Sequence, residues 1–217
     1  MPDLDFAIVD ADVLAFAAAP TLLFKLRVGN QPEEERIQAI MLQVQIRIEA
    51  TRRGYDHRAE EQLLDLFGAP QRWGETVRSL LWTHATLNVQ GFRSSTVVEV
   101  PITCTYDLEV AGTKYFHALK DGEIPLLFLF SGTIFHAPSE GAGPRVAQIP
   151  WEKEASFRLP VRLWTEMMER YFPNSAWLRV RKDVFDRLYA YKARLALPTW
   201  EDAMERLLEQ HAAEAER

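Results

Sequence analysis

The run IPLLFLF at residues 124–130 is the most apolar stretch of the chain, and it limits how the rest can fold. A membrane-spanning helix needs about 20 apolar residues, roughly three times this length. An Asp-Gly pair precedes the run and a Ser-Gly pair follows it, and such pairs are turn signals. A short apolar run between turns is typical of an internal strand that is buried on both faces. The sequence therefore predicts an internal strand at residues 126–130 and no membrane span.

Alternation between apolar and polar residues predicts further strands before this run. Residues 24–28 alternate Phe, Leu and Val with basic residues, and residues 42–48 alternate in the same way. A period of two places one set of side chains on a core and the other in water. Strand-like segments also occur at residues 81–89, 96–105, 106–110 and 114–119. Pro101 indicates that its strand lies at an edge or contains a bulge.

Helical spacing of apolar residues occurs in two parts of the chain. One is a short insertion near residues 58–80, where Gly68 and Pro70 end the first helix. The other is the C-terminal part, where helices are expected from Pro160, around residues 184–191, and from the N-cap residue Thr199, with an acidic residue three positions on.

This order of elements favours an α+β fold. We expect an antiparallel β-sandwich-like sheet domain over residues 1–150, with the helical insertion near 58–80 inside it. A C-terminal segment of about three helices, residues 151–217, is expected to pack on the sheet as part of one compact unit. These helices would cover the second face of the strand at residues 126–130.

Composition restricts the compartment and the class of partner. The chain has 217 residues and a net charge of −6, which argues against nucleic-acid binding. The single cysteine excludes an internal disulfide and fits a reducing compartment. The first residues, MPDLDF, are acidic and lack the features of a secretory signal, so we expect a cytoplasmic protein. Four aspartates near the N-terminus are interpreted as part of a solvated arm: Asp3, Asp5, Asp10 and Asp12.

Candidate catalytic and metal-binding residues do not form a recognisable motif. His84, His117 and His136 lie in or beside strand-like segments, and Cys104 falls among them, but their spacing matches no known metal site. Strands can still bring such residues together, so their grouping in space stays open. We interpret Cys104 as a packed residue and predict no catalytic residue, no cofactor and no bound metal.

Two further patterns have simple structural explanations. Asp107 and Glu109 resemble an acid–base pair, but their alternation with apolar residues favours a solvated strand face. The segment EGAGPR at residues 140–145 contains glycines but is not followed by a helix start, so we interpret it as a flexible connection and not as a phosphate-binding loop.

Residues 171–200 combine aromatic and basic side chains. Because the aromatic residues follow helical spacing, core packing explains them better than nucleic-acid binding. The third helix must also pack, either on its own domain, which we expect, or on a partner. For the second case the candidate partner-binding residues are Arg179, Arg181, Lys182, Trp200 and Met204, whose basic members would attract an acidic partner.

Four segments together carry a family resemblance. They are MPDLDFAIVDA, RRGYDHRAEEQLLDLFGAPQRWGETVRSLLWTH, CTYDLEVAGTKYFHALKDGEIPLLFLFSGTIF and YFPNSAWLRVRKDVFDRLYAYKARLALPTWEDAMERLL. They resemble an uncharacterised, mainly actinobacterial family, a domain of unknown function often encoded beside nickel–iron hydrogenase genes. The resemblance implies a role near hydrogenase maturation but no mechanism and no catalytic residues.

Three hypotheses about function follow. The first is a non-enzymatic accessory or assembly factor that binds a protein partner, such as a hydrogenase subunit or maturation factor, with homo-oligomers also possible. The second is an enzyme of unrecognised type with a pocket between sheet and helices. The third is a holdase-like chaperone, which would need a large exposed apolar groove.

Overall fold

The computed structural model describes residues 2–32, 35–105, 110–137, 143–176 and 178–215. The chain divides into two compact units, Met1–Trp177 and Leu178–Arg217. Two predictions concern segments outside the described residues: the strand at residues 106–109, with Asp107 and Glu109, and most of the loop at residues 138–142.

The first unit is a β-sandwich built from two antiparallel sheets. Its described strands are β1 (Asp3–Val13), β2 (Thr21–Gln31), β3 (Arg36–Ile48), β4 (Leu80–Phe92), β5 (Ser95–Thr103), β6 (Glu123–Ala137), β7 (Arg145–Gln148) and β8 (Glu154–Pro160). One sheet has the order β1-β2-β5, and the other has the order β4-β3-β6-β7 with β8 also paired to β6. The predicted α+β class and sandwich-like architecture are therefore confirmed. Pro101 lies in β5, which ends the first sheet as an edge strand.

The core between the sheets is formed by the residues whose alternation predicted it. Phe24, Leu26 and Val28 of β2 are buried, as is the apolar set of β3. Aromatic rings join the two sheets: Phe6 stacks on Phe130 with ring centroids 4.3 Å apart, and Phe24 meets Phe128 edge to face at 5.2 Å. Pairs of this kind stabilise a core beyond the apolar area that they bury.

Strand β6 is internal, as predicted, but it is longer than the apolar run, and its two faces differ in burial. It pairs with β3 on one side and with β7 and β8 on the other. It also continues through Ser131 and Gly132 to Ala137, because Gly132 adopts a φ of 139° that other residues rarely reach. Residues 124, 126, 128 and 130 are buried, whereas Leu127 and Leu129 are half-buried. The second face of the strand, where Pro125 is buried, is thus covered only in part.

Two further expectations are corrected. The acidic N-terminus is not a solvated arm: it forms β1, in which Leu4 and Phe6 are buried, while Asp10 pairs with Lys25 of β2 at 2.8 Å. The aspartates alternate with the apolar residues and occupy the outer side of the strand. Residues 114–119 were expected to be strand-like but belong largely to a helix, Ala111–His117.

The described helices are α1 (His57–Gln62), α2 (Leu64–Phe67), α3 (Trp73–Thr76), α4 (Ala111–His117), α5 (Val161–Tyr171), α6 (Lys182–Arg194) and α7 (Trp200–Ala215). The predicted insertion corresponds to α1–α3, where Asp56 caps α1 by accepting a bond from the Ala59 amide at 2.7 Å. Helices α4 and α5 contribute to the same core, since Phe116 contacts Trp82 and Trp164. None of the described helices is long and apolar enough to cross a membrane.

The second unit contains α6 and α7. Trp200 contacts Phe185 and Tyr189 with centroid distances of 5.1 and 6.2 Å. Thr199 starts α7 as predicted: its hydroxyl accepts a bond from the Asp202 amide at 3.0 Å, and the Asp202 carboxylate accepts one from the Thr199 amide. The predicted packing of the α6–α7 segment on the sheet, and the division at residue 150, stay predictions.

Candidate functional site

The histidines and the cysteine singled out in the sequence differ in burial and in the element that carries them. His84 is exposed on β4, His117 is exposed on α4, and His136 is buried on β6. Cys104 is buried just after β5. Within the described part of the chain, no three His, Cys, Asp or Glu side chains are grouped as metal ligands would be. The absence of a bound metal stays a prediction.

Cys104 has the properties of a packed residue. Burial raises the pKa of its thiol to about 12. Its Sγ donates a weak hydrogen bond to the Ile102 carbonyl at 3.6 Å. The thiolate is the nucleophilic form of cysteine, and a thiol with this pKa is protonated at physiological pH. Cys104 is therefore not poised for nucleophilic catalysis.

Sequence reasoning missed a buried ionisable pair between Glu35 and His136. Nδ1 of His136 lies 3.1 Å from a carboxylate oxygen of Glu35. The His136 side chain is 6% exposed and the Glu35 side chain is 14% exposed. The buried amide of Asn30 donates to the Glu35 carbonyl at 2.7 Å and to the Arg93 carbonyl at 3.1 Å. Glu35 follows two other glutamates in an apparent loop, so no spacing signal marked it. The pair joins the β2–β3 connection to the end of β6.

A polar depression whose lining includes Asn30 has a volume of about 400 Å³. It is lined by Asp5, Arg27, Gly29, Asn30, Gln31, Ser94 and Ser95. Neither Glu35 nor His136 lines it, so the buried pair does not face a substrate-sized space there. This geometry supports a structural role for the pair, which ties two chain segments together.

A second cavity, of about 140 Å³, lies beside the helical insertion. Its walls include Arg53, Tyr55, Phe67 and Trp73. The Tyr55 hydroxyl donates to the Ala50 carbonyl and lies 2.8 Å from the buried Tyr115 hydroxyl. Burial raises the pKa of both phenols, so both stay protonated at neutral pH. The described lining thus combines apolar and aromatic side chains with the Arg53 guanidinium, and it includes no carboxylate or imidazole that could act as a base.

Arg53 is fixed by backbone groups at the edge of this cavity. Its guanidinium donates to the carbonyls of Gly54, Asp121 and Glu123 at 3.1–3.3 Å and lies over the Tyr55 ring. These bonds join the insertion to the turn before β6. The arrangement explains the position of Arg53 by packing alone.

The α6–α7 pair exposes several large apolar side chains. We define its apolar face as Phe185 (44% exposed), Tyr189 (60%), Met204 (38%), Leu208 (69%) and the half-buried Trp200. Positions 200, 204 and 208 repeat every four residues, as do 185 and 189, so each set lies on one side of its helix. Trp200 joins the two sets through its ring contacts. Exposed apolar residues grouped on neighbouring helices are typical of an interaction surface.

All five predicted partner-binding residues belong to this unit. Arg179, Arg181 and Lys182 are exposed at the start of α6, and Trp200 and Met204 are members of the apolar face. Arg181 pairs with Asp183 at 3.0 Å and Lys182 with Asp186 at 3.3 Å, both in solvent. Exposed pairs of this kind contribute little stability, so the basic groups stay available to another protein.

The model of the family of unknown function DUF6084 matches residues 1–216. The chain belongs to this family. No curated protein matches this DUF6084 chain. The expected membership of a family of unknown function is thereby confirmed, and it assigns no activity.

Among solved structures, the chain is similar to a β-glucosidase from Kluyveromyces marxianus in complex with glucose, with 11% identity and a TM-score of 0.24, over 72% of this chain and 15% of that one. It is also similar to the putative ApaA protein from Bordetella pertussis, with 10% identity and a TM-score of 0.23, over 73% and 93% of the two chains. β-Glucosidase 3B from Thermotoga neapolitana matches at 14% identity and a TM-score of 0.22, over 72% and 17%. The chain thus spans under a fifth of each glucosidase, and TM-scores this low carry no argument.

Proposed function

We propose that this protein is a non-enzymatic accessory factor that binds a protein partner through its α6–α7 pair. The observation that carries the proposal is the apolar face, which presents aromatic and aliphatic side chains to solvent. Aromatic residues and methionine are enriched at the centres of protein interfaces. The state of Cys104 supports this choice, because its buried thiol is protonated at neutral pH.

The charge before and along α6 favours acidic groups on the part of the partner that contacts this side of the α6–α7 pair. Residues 178–194 contain six basic and two acidic side chains, a net charge of +4 in a chain whose total is −6. A local positive field of this kind accelerates encounter with an acidic surface and weakens as salt is added. We therefore propose that the partner contacts Arg179, Arg181 and Lys182 with acidic groups, and Trp200 and Met204 with apolar ones.

The partner class comes from the resemblance of the quoted sequence segments. Families of this type are often encoded beside nickel–iron hydrogenase genes, so the partner proposed is a hydrogenase subunit or a maturation factor in the cytoplasm.

Affinity capture from the native host tests this function. The wild-type chain should enrich a hydrogenase subunit or maturation factor, whereas the variant Arg179→Glu/Arg181→Glu/Lys182→Glu should lose it. Arg58→Glu/Arg72→Glu/Arg145→Glu provides a matched control, because it makes the same change in charge at exposed arginines of the first unit. Capture by the wild type and the control alone would support the proposal. Equal capture by the triple variant, or no hydrogenase-related protein with any chain, would overturn it.

A further inference from the structure

We infer that the apolar face also binds the α6–α7 pair of a second copy of this chain, so that the protein forms a two-fold homodimer when its partner is absent. The inference rests on the proposed function, because both assign a docked protein to the same face. The dimer names a second copy as one occupant of the apolar face, and it explains how this face is covered when the partner is absent.

The second unit has too little interior to stabilise its own helices. Among its described residues, 178–215, Ala203 is the one that is buried. Isolated helices of about 12–15 residues are marginal in water, and units of about 40 residues usually need added support such as oligomerisation. A second copy provides that support by covering Tyr189 and Leu208, the most exposed members of the apolar face.

The charges of the two helices are complementary to those of a second copy. Residues 178–194 carry a net charge of +4, and α7 carries five acidic side chains against one basic, a net charge of −4. In a two-fold dimer the same patch serves both chains, so α6 of one copy can lie against α7 of the other. That arrangement brings opposite charges together twice.

The flanks of the apolar face show the same complementarity. Glu201 and Glu205 each follow a member of the face, Trp200 and Met204, by one position on α7. They are exposed, as are the basic residues before and at the start of α6. Charged residues at the rim of an interface mainly set partner choice and association rate.

This dimer has a consequence for the proposed function. The α7 helix of a second copy is an acidic amphipathic segment, which is the chemistry expected of the partner. Self-association therefore competes with partner binding, and it keeps the apolar face away from non-specific contacts. An acidic partner has to displace the second copy.

Size-exclusion chromatography with multi-angle light scattering tests the inference on the full chain alone. The wild type should show twice the mass of one chain, and should dissociate on dilution and in high salt. Met204→Glu should weaken the dimer by at least about tenfold in Kd, as expected for a central interface residue. Met41→Glu is the matched control, because Met41 is a 55% exposed methionine on β3, and it should leave the dimer unchanged.

A charge exchange keeps the test valid if Met204→Glu fails to fold. Arg181→Glu/Lys182→Glu in one chain and Glu201→Lys/Glu205→Lys in another should each weaken self-association. Mixing the two variant chains should restore a dimer, because opposite charges then face each other again. A wild type that stays monomeric at every concentration, or a mixture that does not recover, overturns the inference.

The two proposals fail in different ways. A monomeric wild type that still captures a hydrogenase-related protein through its basic residues overturns the dimer and leaves the proposed function intact. A dimer with the expected variant pattern that captures no such protein supports the dimer and overturns the proposed function.

Discussion

Tyr115 carries a hydroxyl group into the core of the first unit, where its side chain is fully buried. The hydroxyl is tolerated because the Tyr55 hydroxyl lies 2.8 Å away. Tyr55 also bonds the Ala50 carbonyl, so the two phenols are not equivalent. A buried polar group that loses its partner costs more than a hydrogen bond removed together with the group that made it.

Removing one hydroxyl or the other should therefore lower the free energy of unfolding by different amounts. Tyr55→Phe leaves the Tyr115 hydroxyl without this partner and should lower the free energy of unfolding by about 1–3 kcal/mol. Tyr115→Phe removes the buried group itself and leaves Tyr55 bonded to Ala50, so it should cost about 1 kcal/mol or less. Urea denaturation of both variants measures the difference. Equal losses, or a larger loss for Tyr115→Phe, would show that the pair does not control this part of the core.

For individual residues, the sequence predicted which apolar side chains are buried better than it predicted which polar side chains pair. Alternation identified Phe24 and Leu26 as core residues because burial on one face leaves a period of two. The Glu35–His136 pair has no such signal, since its members are about a hundred residues apart and meet only through β3–β6 pairing. The partner-binding candidates were predicted by composition, but the apolar face also includes Tyr189 and Leu208, whose exposure depends on tertiary structure.

Strand β6 shows how a single element can be assigned correctly and still be misread in detail. Its apolar run predicted an internal strand, and three strands pair with it. The length of the apolar run, however, shows only that residues on both faces are apolar. It does not show how well other elements cover each face. Phe128 faces the core between the sheets and is fully buried, whereas its neighbour Leu129 is half-buried.

Alanine substitutions on the two faces of β6 should differ accordingly. Phe128→Ala should cost about 3–5 kcal/mol, because it removes a buried ring and leaves a cavity against Phe24. Leu129→Ala should cost less than about 2 kcal/mol, because less apolar area is lost from a half-buried side chain. Thermal or urea unfolding of the two variants, with Met41→Ala as an exposed control on β3, provides the comparison. Similar costs for the two β6 variants would mean that the face of Leu129 is covered as fully as the core face.

Other elements differed from expectation for physical reasons. The aspartates of β1 suggested a solvated arm, although a strand at a sheet edge tolerates charges on its outer side. The capping residues of α7 were predicted because Thr199 and Asp202 act locally, and both bonds are present. Local signals of this kind can be found in a sequence, whereas α4 is defined by Tyr115 and Phe116 in the core, which is a tertiary effect.

The whole molecule divides where the sequence contains no obvious linker. Nearly all described buried residues lie in Met1–Trp177, whereas Leu178–Arg217 contributes Ala203. Periodicity showed that α6 and α7 are amphipathic, but amphipathicity does not identify what a helix packs on. The number and position of the C-terminal helices were therefore predictable, whereas what α6 and α7 pack on stays a prediction.

Limited trypsin digestion should report this division directly. Between the end of α5 and the start of α6, the described residues form no helix or strand, and Arg179 and Arg181 are exposed there. Proteases cut first at such exposed, irregular segments. The first cut should fall after Arg179, Arg181 or Lys182, and the large fragment should keep the strand signal in far-ultraviolet circular dichroism because it contains the core. Replacing all three residues by Gln should delay that cut, and mass spectrometry of a time course identifies it. A first cut at Arg93 or Arg145, or a large fragment that unfolds once it is released, would mean that the two units do not behave as separate structural bodies.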